Sequence, residues 1–290
     1  MDTIPLKRTC LLVFLFVMLA HVMVFALTTR VPRDPEEPWP YDPDLSAVTD
    51  PYLLQIWEDT MMAYRRANPT GLFVNTLRHA SEYTSMPKSP EEQEYLINAL
   101  SEALDNDPIN WDEVRVILLL MYAGMDPDPQ IPALVERLFT LPRPMKTSGA
   151  RSRAYTEARR LLLLQQSDEA AAVLFAATQR AFWGDDPFLT ARSGVGGNTE
   201  AVIIGHRKAA FSLLTRMPPR IAIPYVEQLL NVYPESYEPE DIVLGTRYDG
   251  NPKTIPSDFT HDRIQSGLNH LYTRLAKEEK QEEADDEAPQ

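Results

Sequence analysis

Residues 9–28 read TCLLVFLFVMLAHVMVFALT, in which His21 is the only strongly polar side chain. Lys7 and Arg8 precede the run, and the next charge is Arg30. A helix of about 20 apolar residues is ~30 Å long, the thickness of the hydrocarbon core of a bilayer. Such a segment has two outcomes: it stays in lipid or it is cut away. A basic start, an apolar stretch and the small-x-small triplet Val24-Phe25-Ala26 are the parts of a secretory signal. Against cleavage, the run continues to Leu27 with no polar stretch before Ala26, and it is longer than the ~7–15 residues of a signal core. We therefore expect a single-pass anchor over 9–28, with secretion after cleavage near Ala26 as the alternative.

Orientation follows weakly from charge, because Lys7 and Arg8 face Arg30 and Arg33 in nearly equal number. Asp34, Glu36 and Glu37 lie beyond, so the expected topology keeps the short tail 1–8 inside and exports the rest to a periplasmic or extracytoplasmic space. Cys10, the only cysteine, sits at the edge of the run. It reads as a small hydrophobe, with palmitoylation as the alternative. No disulfide or thiolate metal site is expected beyond it.

Residues 29–49 form a linker in which Pro32, Pro35, Pro38, Pro40 and Pro43 oppose helix and favour an extended spacer. The full chain is 44% hydrophobic, which supports a core, and its formal charge is −14. That balance disfavours nucleic acid, whose phosphates need clustered Lys and Arg, and docking on an anionic lipid surface. Much of the acid lies in the terminal KEEKQEEADDEAPQ, so residues 277–290 are expected to be a disordered acidic tail.

Between linker and tail, residues 50–276 carry the punctuation of helices. Asp50-Pro51 offers an N-cap with proline at the first helical position. Ser89 to Glu92 and Asn110 to Glu113 read as capping boxes. Val114 to Tyr122 is apolar nearly all round, which predicts a helix buried on most sides. Further helices are predicted over 154–166, 168–183, 199–217 and 220–233, and a last one carries Ile264, Leu268, Leu271 and Leu275 as a single seam. Strand signals are scarce. Asp249-Gly250 could turn a short β-hairpin near 242–255, with an ordered loop as the alternative. The expected class is all-α: a helical repeat or a bundle after an N-terminal transmembrane helix.

One comparison favours the repeat. The block Arg115–Pro142 lies over Arg207–Pro234 without a gap at an offset of 207 − 115 = 92. Arg115 meets Arg207, Met125 meets Met217, Ile131 meets Ile223 and Leu138 meets Leu230. Pro127, Pro132 and Pro142 meet Pro219, Pro224 and Pro234. Each block is a helix, a proline turn and a second helix, and the offset is twice about 46, within the ~40–47 residues of a two-helix unit. The blocks resemble HEAT-type repeats, with an arginine early in the first helix and Ile-Pro near the start of the second. That resemblance implies an α-solenoid-like domain that offers a surface to a protein partner. The intervening Arg159–Ala177 lacks the prolines and aligns only with a gap.

No reaction motif emerges. His79, His206, His261 and His270 have no i, i+4 partner and no HExxH occurs. Asp105-Asn106-Asp107 opens no EF-hand, because Asn110 and Val116 stand where glycine and glutamate are needed. The glycine-rich run Ser193–Thr199 has no preceding strand and no Gly-Lys-Ser/Thr. Catalytic, metal and cofactor residues are therefore expected to be absent. The stretch Gly184–Asn198 is an unusually long connection, and long loops on rigid scaffolds carry function. The candidate ligand residues are Asp185, Asp186, Arg192 and Asn198 in that stretch, with His206 on the following helix. The expected role is a membrane-tethered scaffold of the cell envelope that binds a protein partner. The alternative is an exported helical hydrolase or ligand-binding protein with its site near Gly184–Asn198.

Overall fold

Asp50 shows how each helix is started. In the computed structural model its Oδ1 accepts hydrogen bonds from the N–H groups of Tyr52 (2.8 Å) and Leu53 (3.2 Å), so α1 (Pro51–Ala67) begins where the Asp-Pro pair predicts. The structure describes residues 43–67, 87–141, 149–184, 199–246 and 251–286, all within the unit Pro43–Gln290. The predicted span 9–28 and the spacer up to residue 42 lie outside the described residues. Among the described residues no helix is long and apolar enough to cross a membrane.

Helix α2 (Pro90–Asp105) opens on the predicted capping box. Ser89 Oγ accepts from the Glu92 N–H at 3.2 Å, and Glu92 Oε2 accepts from the Ser89 N–H at 2.7 Å. The second predicted box is only half present at α3 (Trp111–Gly124). Asn110 Oδ1 accepts from the Glu113 N–H at 3.3 Å, but Glu113 bonds the Asn110 side-chain amide at 3.1 Å. That same amide donates to the Ala47 carbonyl at 2.6 Å. Asn110 thereby ties residues 44–48, counted above as linker, onto the helical domain. There Asp44 caps the short 3-10 turn Leu45–Ala47 and Val48 is buried.

The series continues with α4 (Gln130–Thr140), α5 (Gly149–Gln165), α6 (Asp168–Ala176), α7 (Thr199–Leu214) and α8 (Pro219–Val232). The single helix predicted over 168–183 is instead α6 followed by a turn and the 3-10 turn Arg180–Trp183. Side chains explain the break. Thr178 Oγ1 and the Thr178 N–H both donate to the Phe175 carbonyl, at 2.6 and 2.9 Å. The next free carbonyls are taken from outside the helix, Ala177 O by Trp183 Nε1 at 2.9 Å and Thr178 O by Arg207 Nε at 2.6 Å. A helix whose last carbonyls find such donors has no need of a further turn.

These helices pack in two rows. Helices α1, α3, α5 and α7 lie each on the one before, and so do α2, α4, α6 and α8. Contacts of α2 with α3, α4 with α5 and α6 with α7 join the rows. Helix α3 is enclosed as its sequence predicts, with Val114, Val116 to Met121 and Ala123 buried. Burial also tests the offset of the two matching blocks. In the first helices Arg115, Leu118, Leu119 and Met125 are buried, as are Arg207, Ala210, Phe211 and Met217, all at an offset of 92. In the second helices Ile131, Pro132, Val135 and Leu138 face inward beside Ala222, Ile223, Val226 and Leu229, an offset of 222 − 131 = 91. Facing requires one residue fewer in the second turn, so Pro132 is buried whereas Pro224 is exposed.

The hairpin is present: β1 (Asp241–Thr246) pairs antiparallel with β2 (Pro252–Pro256), Ile242 opposite Ile255, with an irregularity between Val243 and Gly245. Helix α9 (His261–Asp286) follows and lies on α8. It buries Ile264, Leu268 and Leu271, the predicted seam. It also comes close to α7, since a Cβ added at Gly267 would lie 2.7 Å from Phe211 Cζ. Where composition predicts a disordered tail from 277, α9 continues to Asp286. Lys, Glu, Gln and Ala are good helix formers, and Arg220 bonds Glu282 at 2.7 Å.

Burial pushes the Asp50 carboxyl up, but hydrogen bonds from the Tyr95 hydroxyl and from the Leu53 and Tyr52 N–H groups outweigh it and hold it below its ordinary value. A carboxylate with a depressed folded pKa stabilises above its unfolded value of ~3.9, and that contribution is lost as pH falls through the folded one. Glu113, pushed up by burial and by Asp50, has the opposite sign and is relieved by protonation. Urea unfolding below about pH 4 should therefore show a shallower loss of stability with falling pH in Asp50→Asn than in the wild type; parallel slopes would contradict the assignment.

Candidate functional site

Arginine is the unusual constituent of this interior. Arg115, Arg151 and Arg207 are among the largest fully buried side chains, and Arg159 is 6% exposed. Each sits in the apolar phase of its helix. Ile203, Arg207, Ala210 and Leu214 follow one another at four-three-four spacing on α7, as do Arg151, Tyr155, Ala158 and Leu162 on α5. A guanidinium stays protonated and can only donate, so its burial requires acceptors to be brought to it.

Arg207 shows this requirement met. Its Nε donates to Thr178 O, and one terminal nitrogen donates to Tyr233 Oη at 2.7 Å and to Asp258 Oδ1. The guanidinium carbon lies 5.2 Å from the centre of the Phe259 ring. Asp258 is held in turn by the Phe259 N–H at 2.8 Å and the Tyr237 hydroxyl at 3.4 Å. Burial and the neighbouring carboxylate push the Tyr233 hydroxyl up to about 12, against the pull of Arg207. One side chain of α7 thus joins the end of α6, the end of α8 and the link from β2 to α9. Arg115 makes a bond within its own row of helices, from α3 to Glu157 of α5 at 3.2 Å, with Asp112 at 3.7 Å.

The second cluster lies where α5 and α7 meet. Arg151 donates from Nε and a terminal nitrogen to Tyr155 Oη, at 3.2 and 2.9 Å, and lies 4.8 Å over the Trp111 ring. One turn further on, Arg159 bonds His206 Nδ1 at 2.8 Å. Since the arginine can only donate, Nδ1 accepts, and a neutral His206 carries its proton on Nε2. The imidazole stacks on Trp183 at 4.9 Å and 22°, with Tyr155 edge-on at 5.9 Å. Burial pushes the Arg159 guanidinium down to about 10, helped by Arg160 and opposed by Tyr155, so it is charged at neutral pH.

Of the predicted ligand residues, His206 is half-buried in this cluster. Asp185, Asp186, Arg192 and Asn198 lie outside the described residues. His261 Nδ1 donates to the Tyr233 carbonyl at 2.9 Å, and His270 is exposed on α9. Among the described residues, no group of three or more His, Cys, Asp or Glu could hold a metal ion. Sequence reasoning missed Arg151 and Arg159; their signal was an arginine repeated in phase with Tyr155 and Leu162. Comparison with protein families, with curated proteins and with solved structures finds no match for this chain.

Removing the Arg207 cation leaves the Thr178 carbonyl without this donor and the Asp258 carboxylate without its counter-charge, held only by the Phe259 N–H and the Tyr237 hydroxyl. Breaking a buried pair in this way costs about 3 kcal/mol or more. Arg207→Ala should lower the unfolding free energy by that amount, read from the urea midpoint at unchanged slope. A loss below about 1 kcal/mol, the size of an exposed pair, would place the ion pair outside the stabilising core.

Proposed function

We propose that this chain is a membrane-tethered protein of the cell envelope whose exported helical-repeat domain binds a protein partner. The observation that carries the reading is the stacking in two parallel rows, α3 on α5 on α7 and α4 on α6 on α8. A single two-helix stretch cannot bury its apolar faces alone, and stacking on the next one along each row does so while leaving outer faces for recognition. The early arginines Arg115 and Arg207, both 1% exposed, support a common repeat unit of HEAT-like kind. The apolar segment 9–28 and the proline spacer after it support a tether that holds the domain away from the bilayer.

Crosslinking in the native membrane, followed by identification of what is captured, tests both halves. The full chain should pellet with membranes, resist carbonate extraction and crosslink to one protein through the domain. Deletion of 9–28 behind a cleavable export signal should release the domain without unfolding it. A mature N-terminus at Leu27, with the protein in the soluble fraction, would remove the tether from the account.

A further inference from the structure

The chain enters the helical domain through residues 43–48. Pro43 and Val48 are buried, and Asp44, Leu45 and Ser46 between them are exposed. Two bonds fasten the stretch to the start of α3. The Asp44 N–H donates to Asp112 Oδ1 at 3.2 Å, and Asn110 Nδ2 donates to the Ala47 carbonyl at 2.6 Å. The stretch's other bonds are internal. Asp44 Oδ1 accepts from the Ser46 N–H at 3.0 Å and from its hydroxyl at 2.6 Å. The Ala47 and Val48 N–H groups donate to the Asp44 and Leu45 carbonyls, each at 3.1 Å.

Neither neighbouring helix needs this stretch for its own start. Helix α1 is capped by Asp50, whose carboxylate also accepts from the Tyr95 hydroxyl of α2, and it is anchored by buried Leu53, Ile56 and Trp57. Helix α3 is capped by Asn110 Oδ1, a different atom from the one that holds Ala47. Residues 43–48 can therefore leave with both helices in place. The conformational entropy of six ordered residues opposes two buried side chains and two fastening bonds. A segment with so few buried contacts opens at a lower free energy than the core.

We propose that residues 43–48 are a latch on the tether. Closed, the latch fixes the point of exit at Pro43, against the start of α3. Open, it adds its residues to the proline spacer and moves the point of exit to Thr49. In extended form each freed residue adds ~3 Å, so opening lengthens the reach of the domain by up to about 20 Å. A partner farther from the bilayer selects the open form, and a nearer one the closed form. The effect on reach rests on the tether reading, whereas the opening itself is a property of the domain.

Hydrogen exchange of the full chain in bilayer discs tests the opening. The Ala47 and Val48 amides should exchange at least tenfold faster than those in the middle of α3. Asn110→Ser keeps a capping oxygen for α3 and removes the donor to Ala47, so it should speed exchange at Ala47 and Val48 at least threefold with α3 unchanged. If α3 also loosens, Val48→Ala shrinks the buried side chain without touching the cap and should speed the same two amides. Exchange of Ala47 and Val48 at the rate of α3 in the wild type, or no change in the folded variants, overturns the latch. Reach is read by energy transfer from a dye on exposed Lys253→Cys, in a Cys10→Ser background, to dyes on the lipid headgroups. Transfer should fall in the double variant Asn110→Ser, Val48→Asp, which stands open; equal transfer would overturn the lengthening. A chain that does not enter discs would remove the tether instead, and exchange in solution would still decide on the latch.

Discussion

A guanidinium cannot shed its proton to suit an apolar interior, so a buried arginine forces the chain to bring it acceptors. Arg207 imposes this requirement on the C-terminal half of the domain. Its donors reach Thr178, where α6 has ended, Tyr233, where α8 has ended, and Asp258, just before α9 begins. Three segment boundaries far apart in sequence therefore meet on one side chain. Placement of α9 across α8 follows, and its apolar seam then closes over Ile264, Leu268 and Leu271.

Arg115 occupies the corresponding place in the earlier helix pair but solves the problem differently, through Glu157 on the next helix of its own row. Both arginines link their helix to a neighbour. The two arginines are 92 residues apart and both are buried on the first helix of their block, and the different partners reflect what each neighbour offers. Buried ion pairs of this kind contribute little net stability compared with apolar groups of the same size. Their physical consequence is registry, because an acceptor out of place would strand a charge.

Much of the fold could be read from residues before the structure. Asp50-Pro51 and Ser89 to Glu92 state their caps openly, since local side-chain bonds to backbone N–H groups need no tertiary context. The all-round apolar character of Val114 to Met121 and the four-three-four seam of α9 announce how deeply each is buried. The end of α6 at Ala176 was not legible, because the donors that stop it, Trp183 and Arg207, come from elsewhere. Nor was the one-residue shift between the second helices of the matching blocks, where facing overrode the coincidence of Pro132 with Pro224. For the candidate site, sequence spacing reached His206 but not Arg159. An arginine in the apolar phase reads as a surface residue until its acceptors are seen.

Arg207 is the joint between α6, α8 and α9. Hydrogen exchange of the backbone amides in Arg207→Met, compared with the wild type under native conditions, tests it most directly. Loss of the joint should speed exchange in three separate places at once, around Ala177–Gln179, at Tyr233 and through Phe259–Ile264, with α1 and α2 unaffected. Exchange that rises only within α7, or evenly across the domain, would contradict it.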